Sequence, residues 1–151
     1  MIDRKQIEDA VRGYVAGTPL FLVAVKVSST GKVTVLADRK EGITIEECVD
    51  LSRFIEKTFD REKEDYELQV SSPGIDMPFV VIEQYYKNEG KEIEVLDNEG
   101  KKWAGILRNV TTGGFELIIT VKRKKSKTEA EVTEKSFNYE QVKSAKEVLK
   151  F

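Results

Sequence analysis

Histidine is absent from this 151-residue chain, and cysteine, tryptophan and proline are scarce, at one, one and three residues. Without histidine there is no Ser-His-Asp or Cys-His nucleophilic machinery and no imidazole-ligated zinc. The side chain best suited to moving protons near neutral pH is missing too. A lone Cys48 makes neither an intrachain disulfide nor a cysteine-rich metal site, and it fits a reducing compartment. Long apolar runs are also missing: the longest, Leu20 to Val25, is far too short to cross a bilayer. The opening Met-Ile-Asp-Arg-Lys-Gln has no apolar stretch of the signal-peptide kind. These absences lead us to expect a soluble, cytoplasmic protein with no membrane partner.

Charge is what the chain has in plenty. Charged residues make up 34% of it, with a net charge of only −2, so the surface is strongly ionic while the overall balance names no partner. Splitting after Met77 is more informative. Residues 1–77 carry 11 Lys and Arg against 15 Asp and Glu, a net of −4; residues 78–151 carry 14 against 12, a net of +2.

Hydrophobic spacing divides the chain at the same place. Ile7, Ala10, Val11, Tyr14 and Val15 recur at helical intervals, predicting an amphipathic helix over about 3–16, ended by Gly17 and Pro19. Strands are expected at Leu20–Val27 and Lys32–Ala37, joined by a Ser28–Gly31 hairpin loop. Asp38 to Gly42 reads as a polar turn, with Asp38 organising it. Thr44, with Glu47 three residues on, predicts a capping box for a second helix whose buried stripe is Ile45, Cys48, Leu51, Ile55 and Phe59. Tyr66, Leu68 and Val70 alternate with polar residues as a half-buried strand should. The first half is therefore α-β-β-α-β.

That last strand runs into Ser71-Ser-Pro-Gly-Ile-Asp76. Pro73 pre-sets φ and Gly74 tolerates a positive φ, so a type II turn over Ser72–Ile75 is expected, with hydroxyls before it and a carboxylate after. The corner can simply re-aim the chain between domains, or it can also display contact residues. Pro78 then suits the start of a short helix to Lys87. Short strands follow at Glu92–Leu96, Trp103–Val110, Phe115–Val121 and around Val132–Phe137, and the regular turns between them suggest a small barrel. Beyond Tyr139 the chain reads as a polar tail with a few apolar anchors. The expected domains are 1–77, α/β, and 78–151, a short helix plus a barrel.

Lys122-Arg-Lys-Lys-Ser-Lys127 places five cations in six residues. It reads equally as a solvated hairpin tip, neutralised by Glu129, Glu131 and Glu134, or as a phosphate-binding finger of Lys122, Arg123, Lys124, Lys125 and Lys127. No Gly-x-x-Gly loop or aromatic RNP pattern accompanies it, and Trp103, Phe115, Phe137 and Tyr139 read as core. No pair of carboxylates has a diagnostic catalytic or metal-binding spacing, so neither enzyme chemistry nor a cofactor is expected. A general RNA- or protein-binding adaptor and a metal-dependent hydrolase using Asp38 and Asp76 stand as rival readings.

Several runs, taken in order, resemble the RimP family of bacterial ribosome maturation factors: Thr34-Val-Leu-Ala-Asp38, Gly42-Ile-Thr-Ile-Glu-Glu-Cys48, Leu51-Ser-Arg53, Tyr66 to Asp76, Gly90-Lys-Glu-Ile-Glu-Val95, Gly105-Ile-Leu107 and Val142-Lys-Ser-Ala145. The resemblance implies an α+β protein, an α/β amino-terminal domain followed by an SH3- or Sm-like barrel. It also implies a non-catalytic, monomeric assembly factor for the small (30S) ribosomal subunit. Such a factor would bind precursor particles, meeting 16S rRNA and a small-subunit ribosomal protein, the twelfth in the usual naming, largely through the barrel. The corner residues Ser71, Ser72, Pro73, Gly74 and Asp76 become candidates for partner contact. The chain departs from the family at Met77, where a basic residue is common, and at Phe79, which replaces a smaller aliphatic. An arginine at 77 could pair with Asp76 or a phosphate through its donor fork, and Met77 can do neither.

Overall fold

A computed structural model describes residues 2–63, 65–122 and 130–148. The chain separates into two compact units, Met1–Pro73 and Gly74–Phe151. It is a mixed α+β protein, with an α/β region first and an antiparallel sheet second.

The first unit runs α1 (Arg4–Val15), β1 (Phe21–Val27), β2 (Lys32–Asp38), α2 (Ile45–Thr58) and β3 (Glu67–Ser71). Asp3 caps α1, its carboxylate accepting the Lys5 N–H at 2.9 Å. Ile7, Val11 and Val15, spaced four apart, are buried along one side of α1. β2 lies between β1, which pairs antiparallel, and β3, which pairs parallel after the α2 crossover. A register shift between Leu22 and Ala24 bulges β1, so Leu22 and Val23 are both buried where strict alternation would expose one. Leu51 and Ile55 of α2 close the core with Val33, Val35 and Tyr66.

The predicted stripe of α2 needs one correction. Ile45 is 86% exposed. At 3.6 residues per turn it stands roughly 100° round the helix from the midpoint of Leu51 and Ile55. Phe54, whose ring lies 4.7 Å from that of Tyr14, packs on the core in its place.

The capping box forms as expected. Thr44 Oγ1 accepts the Glu47 N–H at 3.1 Å, and Glu47 Oε1 accepts the Thr44 N–H at 2.9 Å. The Thr44 backbone hydrogen bond, helped by the Thr44 hydroxyl and Arg39, holds the Glu47 carboxyl below its ordinary value of 4.5. A carboxyl depressed in the folded state stabilises above its unfolded pKa, and the contribution is lost as pH falls through the folded value. Acidification below 4.5 should therefore lower the urea midpoint of the wild type more than that of Glu47→Gln. Parallel pH profiles for the two proteins would refute the linkage.

The second unit runs α3 (Ile82–Lys87), β4 (Glu92–Asp97), β5 (Lys102–Arg108), β6 (Gly114–Lys122), β7 (Ala130–Asn138), a 3-10 turn (Tyr139–Gln141) and β8 (Val142–Glu147). Strand order is β7-β6-β5-β4-β8, antiparallel throughout. No β7–β8 pairing closes this sheet among the described residues. Its core is aromatic: Phe115 lies 5.5 Å from Phe137, 5.1 Å from Tyr85 and 5.8 Å from Tyr139.

Two expectations fail here. Residues 142–147 form a strand paired with β4, where the sequence reads as a polar tail, because only Ala145 is fully buried and Val142 partly so. The helix expected from Phe79 begins at Ile82. Phe79 instead gives its N–H to the Ala145 carbonyl at 2.7 Å, which holds that residue in line with β8. The Gln84 side-chain oxygen then accepts the Val80 and Val81 N–H groups, at 2.6 and 3.1 Å, so the helix starts only after them.

Candidate functional site

The corner residues are consecutive in sequence but divide between the units: Ser71, Ser72 and Pro73 close the first, and Gly74 and Asp76 open the second. Ser71 is the last residue of β3, paired with Leu36 and half-buried, and Ser72 beyond it is exposed. In the second unit the turn falls later than expected. The Met77 N–H donates to the Gly74 carbonyl at 3.0 Å, so Ile75 and Asp76 occupy the middle positions. Gly74 is not among the residues with positive φ. The turn therefore does not need a glycine for φ. A Cβ on Gly74 would lie 2.9 Å from Asp76 Oδ1, the end of an exposed side chain that can turn aside.

What this segment offers is uncommitted chemistry, exposed at Ser72 and Asp76 and half-buried at Ser71. The side chains of Ser71, Ser72 and Asp76 make no hydrogen bond or ion pair among the described residues. Ile75 and Val80 are 49% and 55% exposed. Phe79 anchors the segment within its unit, its ring 4.9 Å from Tyr85 and edge-on. Short segments with free donors and acceptors suit protein or RNA contact better than bond-making, which needs a converging acid, base or nucleophile.

Other reactive groups are engaged structurally. Asp38 is buried and accepts the Ile43 N–H at 3.1 Å, holding the loop before α2. Burial, with Glu47 and Asp38 nearby, raises the Cys48 thiol above its ordinary value and makes its thiolate scarce. Burial next to Tyr139 pushes Tyr85 up to about 12. Among the described residues no three Cys, Asp or Glu side chains converge as metal ligands. No described helix is long and apolar enough to cross a membrane.

Of the cationic run, Lys122 ends β6, its backbone paired with Ala130, while Arg123, Lys124, Lys125 and Lys127 lie outside the described residues. Glu134, one of the acids expected to neutralise that run, instead pairs with Arg108, which also meets Glu116 at 3.3 Å. Sequence reasoning missed a second cationic feature: Lys101 and Lys135, far apart in the chain, both sit over the Trp103 ring. Strand register alone does not bring them together: Lys135 pairs with Leu117, and Leu117 with Leu107, further along β5 than Trp103.

Residues 10–76, from α1 to the last residue of the corner, match the family model described as RimP N-terminal domain. A Porphyromonas gingivalis protein named ribosome maturation factor RimP is 38% identical over 136 residues, covering 85% of this chain and 90% of its own length. The chain belongs to the RimP family. A RimP of Christiangramia forsetii is 32% identical over 107 residues, covering 71% of this chain and 70% of the relative. A RimP of Cytophaga hutchinsonii is 28% identical, covering 87% of both. The matched stretch ends at Asp76, so all five candidate corner residues lie within it.

Proposed function

We propose that this protein acts in ribosome maturation as a non-catalytic, monomeric, cytoplasmic assembly factor for the small (30S) subunit that needs no cofactor. The observation carrying this reading is its likeness to a protein named as a ribosome maturation factor along nine-tenths of that relative's length. In this proposal the factor binds precursor particles, touching 16S rRNA and a small-subunit ribosomal protein, and promotes that protein's incorporation. It can do so only by preferring one particle conformation over another, because a ligand shifts an equilibrium by its differential affinity alone. Binding must therefore be tighter to precursors than to finished subunits.

The unpaired groups of Ser71, Ser72 and Asp76, with Pro73 and Gly74 between them, supply partner contact in this reading. Lys122, Arg123, Lys124, Lys125 and Lys127 supply phosphate contact. In this reading the second unit, a five-stranded antiparallel sheet with β7 and β8 at its edges, serves as an SH3- or Sm-like barrel.

Co-sedimentation with small subunits, large subunits and small-subunit precursors, at two salt concentrations, tests the proposal. Selective, salt-weakened binding that is strongest for precursors is the expected result. Equal association with every particle would overturn it. Replacing the five cations by alanine should flatten the salt dependence, by roughly 0.7–0.9 in log affinity per log salt for each phosphate contact removed.

A further inference from the structure

We infer that the face around Trp103 is a stacking site for single-stranded RNA, a reading that rests on the ribosomal role proposed above. Trp103 lies near the start of β5, half-buried against the aromatic core, with its ring 6.0 Å from Phe137. Its indole N–H donates to Asp97 Oδ2 at 3.0 Å, which fixes the ring plane. The Lys101 and Lys135 ammonium groups stand 4.2 and 4.7 Å from the ring centroid, and Lys135 is also 5.6 Å from that of Phe137. Neither lysine makes a salt bridge with a described carboxylate. A cleft of about 300 Å³ adjoins them, lined by Asp97, Asn98, Glu99, Lys135, Phe137 and Gln141.

The indole, with two ammonium groups over it, suits a ligand that joins an aromatic face to an anionic group. Asp97 is committed to its own turn: Oδ1 accepts the Glu99 and Lys101 N–H groups, both at 2.9 Å, and Oδ2 holds the indole. Its charge still acts on Lys101, so Asp97 and Glu99 together balance the two ammonium groups. An exposed cation–π contact is weaker than a nucleobase stacked on an aromatic ring. A base arriving at the indole therefore displaces a lysine, which is left within reach of the phosphate on the same nucleotide. Both partners are satisfied in both states: the lysines rest on the ring when RNA is absent and move to the backbone when it is bound. A duplex keeps its bases stacked on one another and offers none to the ring, so the site takes unpaired nucleotides. Stacking is tolerant of base identity, consistent with the lack of any base-reading motif.

Trp103 is the only tryptophan, so the intrinsic fluorescence of the whole protein reports this site alone. Titration with an oligouridylate of about twelve nucleotides should quench it saturably, and an RNA duplex of similar length should bind several-fold more weakly. Lys101→Ala and Lys135→Ala should each weaken binding about three- to tenfold and reduce the salt slope by roughly 0.7. In anisotropy with labelled RNA, Trp103→Leu should lose affinity that Trp103→Phe largely keeps. The site is overturned if RNA binds without quenching, if duplex and single strand behave alike, if the lysine variants bind as the wild type does, or if no RNA binds. Particle co-sedimentation separates the two readings. Selective particle binding without quenching removes only this site, whereas quenching without particle selectivity removes the ribosomal role and leaves the site standing.

Discussion

Gly114→Ala is expected to destabilise the second unit by about 1–3 kcal/mol, the range for forcing extra volume into a packed site. Gly114 opens β6 opposite Asn138. A Cβ there would collide with the Phe137 carbonyl oxygen and approach Asn138 Cα at 3.0 Å and the Phe137 carbonyl carbon at 3.1 Å. All three are backbone atoms of the paired strand, so no side chain can swing aside and the β6–β7 register itself must shift. Gly113, one residue earlier, is the control. A Cβ there would meet only Thr111 Oγ1, at 3.9 Å, and Gly113→Ala should stay within about 0.5 kcal/mol of the wild type. Urea denaturation of the two variants decides the matter: equal midpoints would mean that the β6–β7 approach is looser than described.

Ile55→Ala is expected to cost the first unit about 2–5 kcal/mol. Ile55 is fully buried between α2 and the three-stranded sheet. Truncating it removes transferred apolar surface and leaves a cavity that β2, paired on both sides, cannot collapse to fill. Ile45→Ala on the same helix should change stability by no more than about 0.5 kcal/mol, because Ile45 is almost wholly solvated. Both isoleucines belong to one predicted stripe, so comparable losses from the two variants would restore the sequence-based stripe and refute the observed orientation of α2.

The contrast between those isoleucines shows where sequence reasoning reaches its limit. Capping chemistry is local, and the Thr44–Glu47 box was legible because its donors and acceptors lie three residues apart. Helix phase depends on which face the sheet covers, and neighbours in sequence do not say. The corner follows the same logic. Pro73 and Gly74 announce a bend, but the turn itself falls at Gly74–Met77. Downstream, Phe79 is drawn into register with Ala145 near the other end of the chain. In the candidate site, the corner residues were visible as a run of turn and hydroxyl residues. The Trp103 face was not, because Lys101 and Lys135 are distant in sequence and meet over the ring only in the folded unit.

By itself, the sequence determined the α-β-β-α-β order of the first unit, the strand-rich second unit, the capping of α2 and membership of the RimP family. Each rests on periodicity, turn chemistry or ordered motifs within reach of one another along the chain. Only the tertiary structure decided that residues 142–147 form a strand, that α3 starts at Ile82 and not Phe79, that Ile45 faces solvent, and that two distant lysines share one indole. The physical reason is common to all four. Each outcome is set by which backbone groups and surfaces a distant strand or helix covers, and a residue's own preference is too weak to overrule a partner that satisfies its hydrogen bonds or buries its side chain.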